Sequence, residues 1–314
     1  MSGIDVVVQE VGPRDGLQNV AQVMPTAAKL AWIAAVGAAG VPQIQVGSFV
    51  PPKLMPQLAD TAEVLEGARR SCPGVQLSVL VPNLKGAELA LPHRPDQIAF
   101  VMSASAEHNA RNVRRSVEDS LADFGRIVAL RNAVDHERRT KVSGGIATAF
   151  GCTIQGVVPE AEVLRLAVAL AEAGADRIGI ADTVGYANPR QVGRLFEAVA
   201  RAVGPEIALG AHFHDTRGLG LANVCAALDA GIRQFDGGMG GLGGCPHAPG
   251  ATGNIVTEDL VFMLEAMGLR TGIDLEGLVA ARRIMEAHLP GEPTHGTYVR
   301  AGAPRGFVSA DAAA

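Results

Sequence analysis

The chain has 314 residues, 48% of them hydrophobic and 19% charged, which excludes disorder as its main state and allows a large core without disulfide staples. Its 27 Lys and Arg against 32 Asp and Glu leave a net charge of −5, so nothing draws it to nucleic acid or an anionic membrane. Four cysteines form no CxxC pair, and the start MSGIDVVVQE lacks the basic-then-apolar layout of a signal peptide, so the expected setting is the cytoplasm.

Short β-branched runs bounded by Gly, Pro, Asn or Asp predict eight strands: Val6–Glu10, Gln43–Gly47, Gln76–Val81, Gln97–Met102, Lys141–Ala147, Arg177–Ala181, Ile207–His214 and Gln234–Gly237. Helical spacing fills Thr26–Ala39, Ser116–Val134, Pro159–Ala173, Pro189–Val203 and Leu219–Ala230, then Val256–Met267 and Leu275–His288 after the last strand. Gly40, Gly174 and Gly231 stand where a left-handed helix cap is wanted. The alternation predicts an α/β fold, a (β/α)8 TIM barrel over 1–290 with extra C-terminal helices. An open doubly wound sheet is the runner-up. Residues 291–314 read as an irregular, loosely attached tail.

In a barrel the catalytic face lies at the C-terminal strand ends, and the informative polar residues collect there. His212 and His214, two apart on a strand, point to one face while Phe213 points to the other. Asp15 and Asn254 would add a carboxylate and an amide oxygen. This mixed N/O set suits Mg²⁺ or Mn²⁺ first, with Zn²⁺ or Co²⁺ as alternatives. The plainer reading is a histidine hydrogen-bonded in the core. Arg14 beside Asp15 reads either as a surface ion pair or as a cation placed for a developing oxyanion. Cys245, in the glycine-rich loop 237–254, is either a small buried hydrophobe or a proton donor on a lid. Gly238 to Gly243 match GxGxxG, but late in the chain and running into Cys-Pro, so a dinucleotide site is not expected. The cluster Arg111, Arg114 and Arg115 reads as a solvated helix start or, less simply, a contact for substrate phosphates.

At these residues the chain resembles the 3-hydroxy-3-methylglutaryl-CoA lyases of the DRE-TIM metallolyase group. The matching pieces are EVGPRDGLQN at 10–19, SFVPPKLMPQLAD at 48–60, VPNLKG at 81–86, ADTVG at 181–185, HFHDTRGLGLAN at 212–223 and GGLGGCPHAPGATGNIVTEDL at 240–260. The resemblance implies cleavage of a 3-hydroxy-3-methylglutaryl thioester to acetyl-CoA and acetoacetate through an enolate. It implies Asp15, His212, His214 and Asn254 as metal ligands. Arg14, Asp15, His212 and Cys245 would be the catalytic residues, with Arg14, Gln18, Gln45, Ser48, Asp182 and Thr183 against the substrate. It further implies a small-molecule acyl-CoA as partner and a homodimer. One departure stands out: the family has glutamate at the end of strand 2 where this chain has Gln45, which orients but accepts no proton. Either the base lies elsewhere, at Asp182 or His212, or the acyl group is a different 3-hydroxy acyl-CoA. A barrel that binds metal or CoA without catalysis is the third reading. His247 also stands where an aromatic residue is common, and no late cysteine is present for a disulfide switch.

Overall fold

The computed structural model describes residues 3–134, 140–243 and 253–310. Its frame is a closed barrel of eight parallel strands in the order β1 to β8. The strands are β1 (Val7–Glu10), β2 (Gln43–Ser48), β3 (Gln76–Val81), β4 (Gln97–Ser103), β5 (Lys141–Ala147), β6 (Arg177–Asp182), β7 (Ala208–Phe213) and β8 (Gln234–Gly237). β8 pairs back onto β1 from Val7↔Gln234 to Glu10↔Gly237, which rules out the open sheet.

The predicted helices are present as α1 (Thr26–Ala38), α5 (Val117–Val134), α6 (Glu160–Glu172), α7 (Pro189–Val203), α8 (Gly220–Asp229), α9 (Thr257–Ala266) and α10 (Leu275–His288). Gly40, Gly174 and Gly231 do take left-handed φ of 91°, 93° and 89° after α1, α6 and α8. Between the strands, three helices go beyond the sequence expectation: α2 (Thr61–Ser71), α3 (Leu84–Ala90) and α4 (Ala106–Val113). The last two are short and depend on caps, with Asn83 Oδ1 accepting from Gly86 N and Ser105 Oγ from His108 N.

The core lies between the outer face of the strands and the helices. Trp32, Phe124, Phe196, Phe213 and Phe235 are fully buried there. The tail, expected to be loosely attached, is anchored over its described part, which includes α11 (Tyr298–Ala301). Thr297 N donates to Asp259 Oδ2 at 2.8 Å, His295 N to Gly240 O at 2.8 Å, and the Tyr298 and Phe307 rings pack on Phe262. Composition hid this because the anchoring groups sit more than thirty residues away, on α9 and in the turn after β8. Among the described residues no helix is long and apolar enough to cross a membrane.

Candidate metal centre at the barrel mouth

The first side of the site is a wide helical turn, Gly12–Gly16, directly after β1. It is held from below by Glu10, whose Oε1 accepts from Gly12 N at 2.7 Å and Met239 N at 2.9 Å. Its Oε2 accepts from Thr257 Oγ1 at 2.5 Å. One buried carboxylate thus ties the ends of β1 and β8 to the start of α9. Burial pushes its pKa up to about 7, against the pull of those donors.

The turn delivers Arg14 and Asp15 to the mouth, both buried. Asp15 Oδ1 accepts from Arg14 Nη1 at 2.5 Å and from Gln18 Nε2 at 2.8 Å. Its Oδ2 accepts from Asn254 Nδ2 at 2.8 Å and lies 3.9 Å from His214 Nε2. Burial opposes ionisation of Asp15, but the Arg14 guanidinium and the two imidazoles outweigh it and hold the carboxyl below its usual range. The other end of the Arg14 fork is fixed by Gln45, whose Oε1 accepts from Arg14 Nε.

The second side is the end of β7. His212 and His214 share the inward face, with Nε2 atoms 3.1 Å apart. His212 Nδ1 faces Asp236 Oδ2 on β8 at 3.3 Å, and Asp236 Oδ1 is 3.6 Å from Arg177 Nη2 on β6. Desolvation and the neighbouring His212 charge depress His214 to a pKa of about 4, so that ring is neutral at pH 7. For His212 burial works downward, but Asp236 and Asp15 raise it overall.

One ligand atom from each of Asp15, His212 and His214 lies within 4.8 Å of the others. The surroundings fit a cation. Asn254 Oδ1 is buried beside the cluster with no hydrogen-bond partner among the described residues, because its amide nitrogen is spent on Asp15 and Leu242 O. The two Nε2 atoms face each other at 3.1 Å, close enough to share a proton, and a cation in that proton's place would take both lone pairs.

The remaining expected residues divide. Gln18 and Gln45 reach the cluster through Asp15 and Arg14. Asp182 does not act as a free carboxylate: Tyr186 N and Ala187 N donate to its two oxygens at 2.8 and 3.0 Å, fixing the loop after β6. Thr183 Oγ1 accepts from Thr148 N at 2.9 Å. Ser48 is buried, and its backbone N donates to Thr61 Oγ1 at 3.1 Å, just past a register shift in β2 between Gln45 and Gly47. Cys245 and His247 lie outside the described residues. Of the basic cluster, Arg115 pairs with Asp123, while Arg111 and Arg114 are exposed around the end of α4. Glu10, Asp236 and Arg177 were not expected from the sequence, although each is a charged residue within a predicted strand.

A closed (β/α)8 barrel with a mixed N/O cluster and an arginine at its C-terminal mouth defines a class, the barrels built for metal-assisted chemistry. Within that class, the HMGL-like family model matches residues 5–285, and the chain belongs to this family. It is 43% identical over 289 residues to hydroxymethylglutaryl-CoA lyase YngG of Bacillus subtilis, covering 92% of this chain and 94% of that protein. It is also 43% identical over 272 residues to the 3-hydroxy-3-isohexenylglutaryl-CoA/hydroxy-methylglutaryl-CoA lyase of Pseudomonas aeruginosa, covering 87% and 89%. An HMG-CoA lyase from Acinetobacter baumannii, solved with coenzyme A and 3-methylmalate, superposes with a TM-score of 0.89 at 43% identity over 96% of this chain and 97% of that one.

Proposed function

We propose that the chain is a divalent-metal-dependent lyase that cleaves 3-hydroxy-3-methylglutaryl-CoA to acetyl-CoA and acetoacetate. The convergence of Asp15, His212 and His214 beside Arg14, with Asn254 hydrogen-bonded to Asp15 and its own oxygen buried without a partner among the described residues, carries this reading. Asp15, His212, His214 and Asn254 would hold the ion, for which a donor set without thiolate favours Mg²⁺ or Mn²⁺ over Zn²⁺ or Co²⁺. When bound, a divalent cation supplies Lewis acidity to the tertiary hydroxyl and fixes its orientation.

The protein's own groups do the rest. Arg14, clamped at Nη1 by Asp15 and at Nε by Gln45, presents a fixed guanidinium to the thioester oxygen, where enolate charge develops. Gln45 therefore acts as an orienter of Arg14, which accounts for an amide at a position where the family resemblance leads one to expect a carboxylate. With both Asp182 oxygens accepting from backbone N–H groups, its part in this reading is to hold the loop after β6 beside the substrate. Cys245, on the loop after β8, would return the proton to carbon.

A different acyl group replacing the methylglutaryl one altogether, the alternative raised by Gln45, has less support, since both relatives carry hydroxymethylglutaryl-CoA in their names, one of them alongside 3-hydroxy-3-isohexenylglutaryl-CoA. A homodimer in the cytosol completes the reading, and light scattering of the purified protein checks the dimer. The decisive assay is acetyl-CoA release from 3-hydroxy-3-methylglutaryl-CoA. The proposal expects turnover that EDTA abolishes and Mg²⁺ or Mn²⁺ restores; turnover that persists after metal-free dialysis contradicts it.

A further inference from the structure

The lumen of a (β/α)8 barrel is ordinarily filled by layers of branched side chains. Here the inward row at mid-height is Val101, Gly145, Gly179 and Gly210, neighbours by register on β4, β5, β6 and β7. Three of the four carry no side chain.

The three glycines are not equivalent. At Gly210 the space is taken, since a Cβ there would run into the Arg177 guanidinium, which lies across that strand. At Gly179 it is not: an added Cβ would meet nothing nearer than the Cα of Gly145, at 3.9 Å. At Gly145 the nearest atom would be Val101 Cγ2, at 3.2 Å. Neither Gly145 nor Gly179 has a positive φ, so the backbone does not require glycine at either position. What the two glycines provide is empty volume.

Solvent reaches that volume from the mouth. Leu80, Val101, Gly145, Gly179 and Ala181 all face the lumen and are partly exposed although they sit in mid-strand. On the opposite side the His212 and Asp236 side chains keep 16% and 19% of their surface. The well therefore has an apolar wall on β3 to β6 and a polar wall on β7 and β8, with the cation-ready cluster at its rim. From the level of Ala181 to that of Gly179 is two residues, about 6.6 Å of strand. At the usual tilt of roughly 36° this makes a well about 5 Å deep, the length of a four-carbon chain.

We propose that this well receives the substituent on C3 of the substrate, and that the protein cleaves 3-hydroxy-3-alkylglutaryl thioesters with branches up to butyl as well as the methyl compound. The proposal rests on the lyase reading above and extends it to a substrate class. A C3 centre whose hydroxyl is held at the polar rim must send its alkyl group elsewhere, and the apolar wall is the surface that gains by covering it. Each buried methylene is worth a factor of about four in binding. The chemistry is unchanged by the branch. The hydroxyl loses its proton and C3 becomes a ketone. The C2–C3 bond breaks with its electron pair passing to C2 as the thioester enolate, and C2 takes up a proton. The butyl compound thus yields acetyl-CoA and 3-oxoheptanoate.

The test compares 3-hydroxy-3-methylglutaryl-CoA and 3-hydroxy-3-butylglutaryl-CoA as substrates of the full-length, Mg²⁺-loaded protein, together with Gly179→Ala and Gly179→Val. The wild type is expected to turn over both with kcat/KM within about tenfold of each other. Gly179→Val, whose branched side chain fills the well, lowers the butyl-to-methyl ratio of kcat/KM at least tenfold, and Gly179→Ala lowers it less. Thermal melting identifies a variant that has not folded, in which case Gly179→Ala alone carries the comparison. Methyl cleavage with a butyl rate a thousandfold lower overturns the proposal while leaving the lyase reading intact. So does a Gly179 series in which both substrates lose activity in equal proportion. Failure to cleave the methyl compound at all overturns the lyase reading, and this inference with it.

Discussion

Asp236 offers the sharpest perturbation of the site because it touches His212 without belonging to the cluster. Its Oδ2 lies 3.3 Å from His212 Nδ1, and its Oδ1 is 3.6 Å from Arg177 Nη2. Replacing it by alanine removes the acceptor that fixes the His212 tautomer. Carboxylates in this position behind a metal-ligating histidine are worth about 10- to 100-fold in metal affinity, or roughly 1.4–2.8 kcal/mol. The same change strands Arg177, whose side chain is only 9% exposed, as an unpaired charge in the lumen. That costs about 3 kcal/mol of stability. The two effects separate in the pair Asp236→Ala and Arg177→Met/Asp236→Ala. Titration calorimetry with Mn²⁺ is expected to show weakened binding in both variants, while thermal melting shows stability recovered in the double variant. Unchanged Mn²⁺ affinity in Asp236→Ala, or affinity that returns together with stability in the double variant, would refute the assignment of Asp236 as the group that orients His212.

Two further predictions follow from neighbouring residues. Glu10 has its pKa raised by burial from the ordinary 4.5 to about 7, so between those values the folded state binds protons that the unfolded chain does not. Stability contributed by this group is therefore present below pH 4.5 and lost as pH rises toward 7, about 3 kcal/mol in all. Glu10→Gln should narrow the difference in melting temperature between pH 5 and pH 8 by about 5 °C, and an unaltered difference would show that Glu10 is ionised throughout. Arg14→Gln is expected to lower kcat by a factor of about 10² to 10³. Arg14→Lys should not rescue it, because a compact ammonium bound by Asp15 and Gln45 has no planar guanidinium edge left to present to the thioester oxygen. A lysine variant within threefold of wild type would contradict the clamped-fork role.

Much of the barrel was readable because each strand is a short β-branched run closed by a turn residue. The caps at Gly40, Gly174 and Gly231 mark where the helices return to the sheet. The His212 and His214 pair was readable too, since strand alternation alone puts both rings on one face. The meeting of Asp15 with Asn254, 239 positions away, is a different matter. No local pattern encodes it; it follows from closure of β8 on β1, and it is anticipated only once the strand ends are placed together at one barrel mouth. Asp182, expected against the substrate, also holds the loop after β6 through backbone donors four and five residues later, contacts that its place at a strand end does not reveal. Arg177, Asp236 and Glu10 were passed over because a strand buried on both faces is expected to be apolar. Apart from Gly12 N, which donates to Glu10, their partners lie on other strands or beyond β8, so the ion pairing is not visible along the chain.

The most direct test is the stoichiometry of Mn²⁺ binding to the purified protein after exhaustive chelation, followed by electron paramagnetic resonance and calorimetry. One ion per chain is expected, with binding lost in His214→Ala and in Asp15→Ala and retained in Asp182→Ala. Tight binding that survives removal of His214, or no stoichiometric binding at all, would contradict the assignment of the barrel mouth as a metal centre.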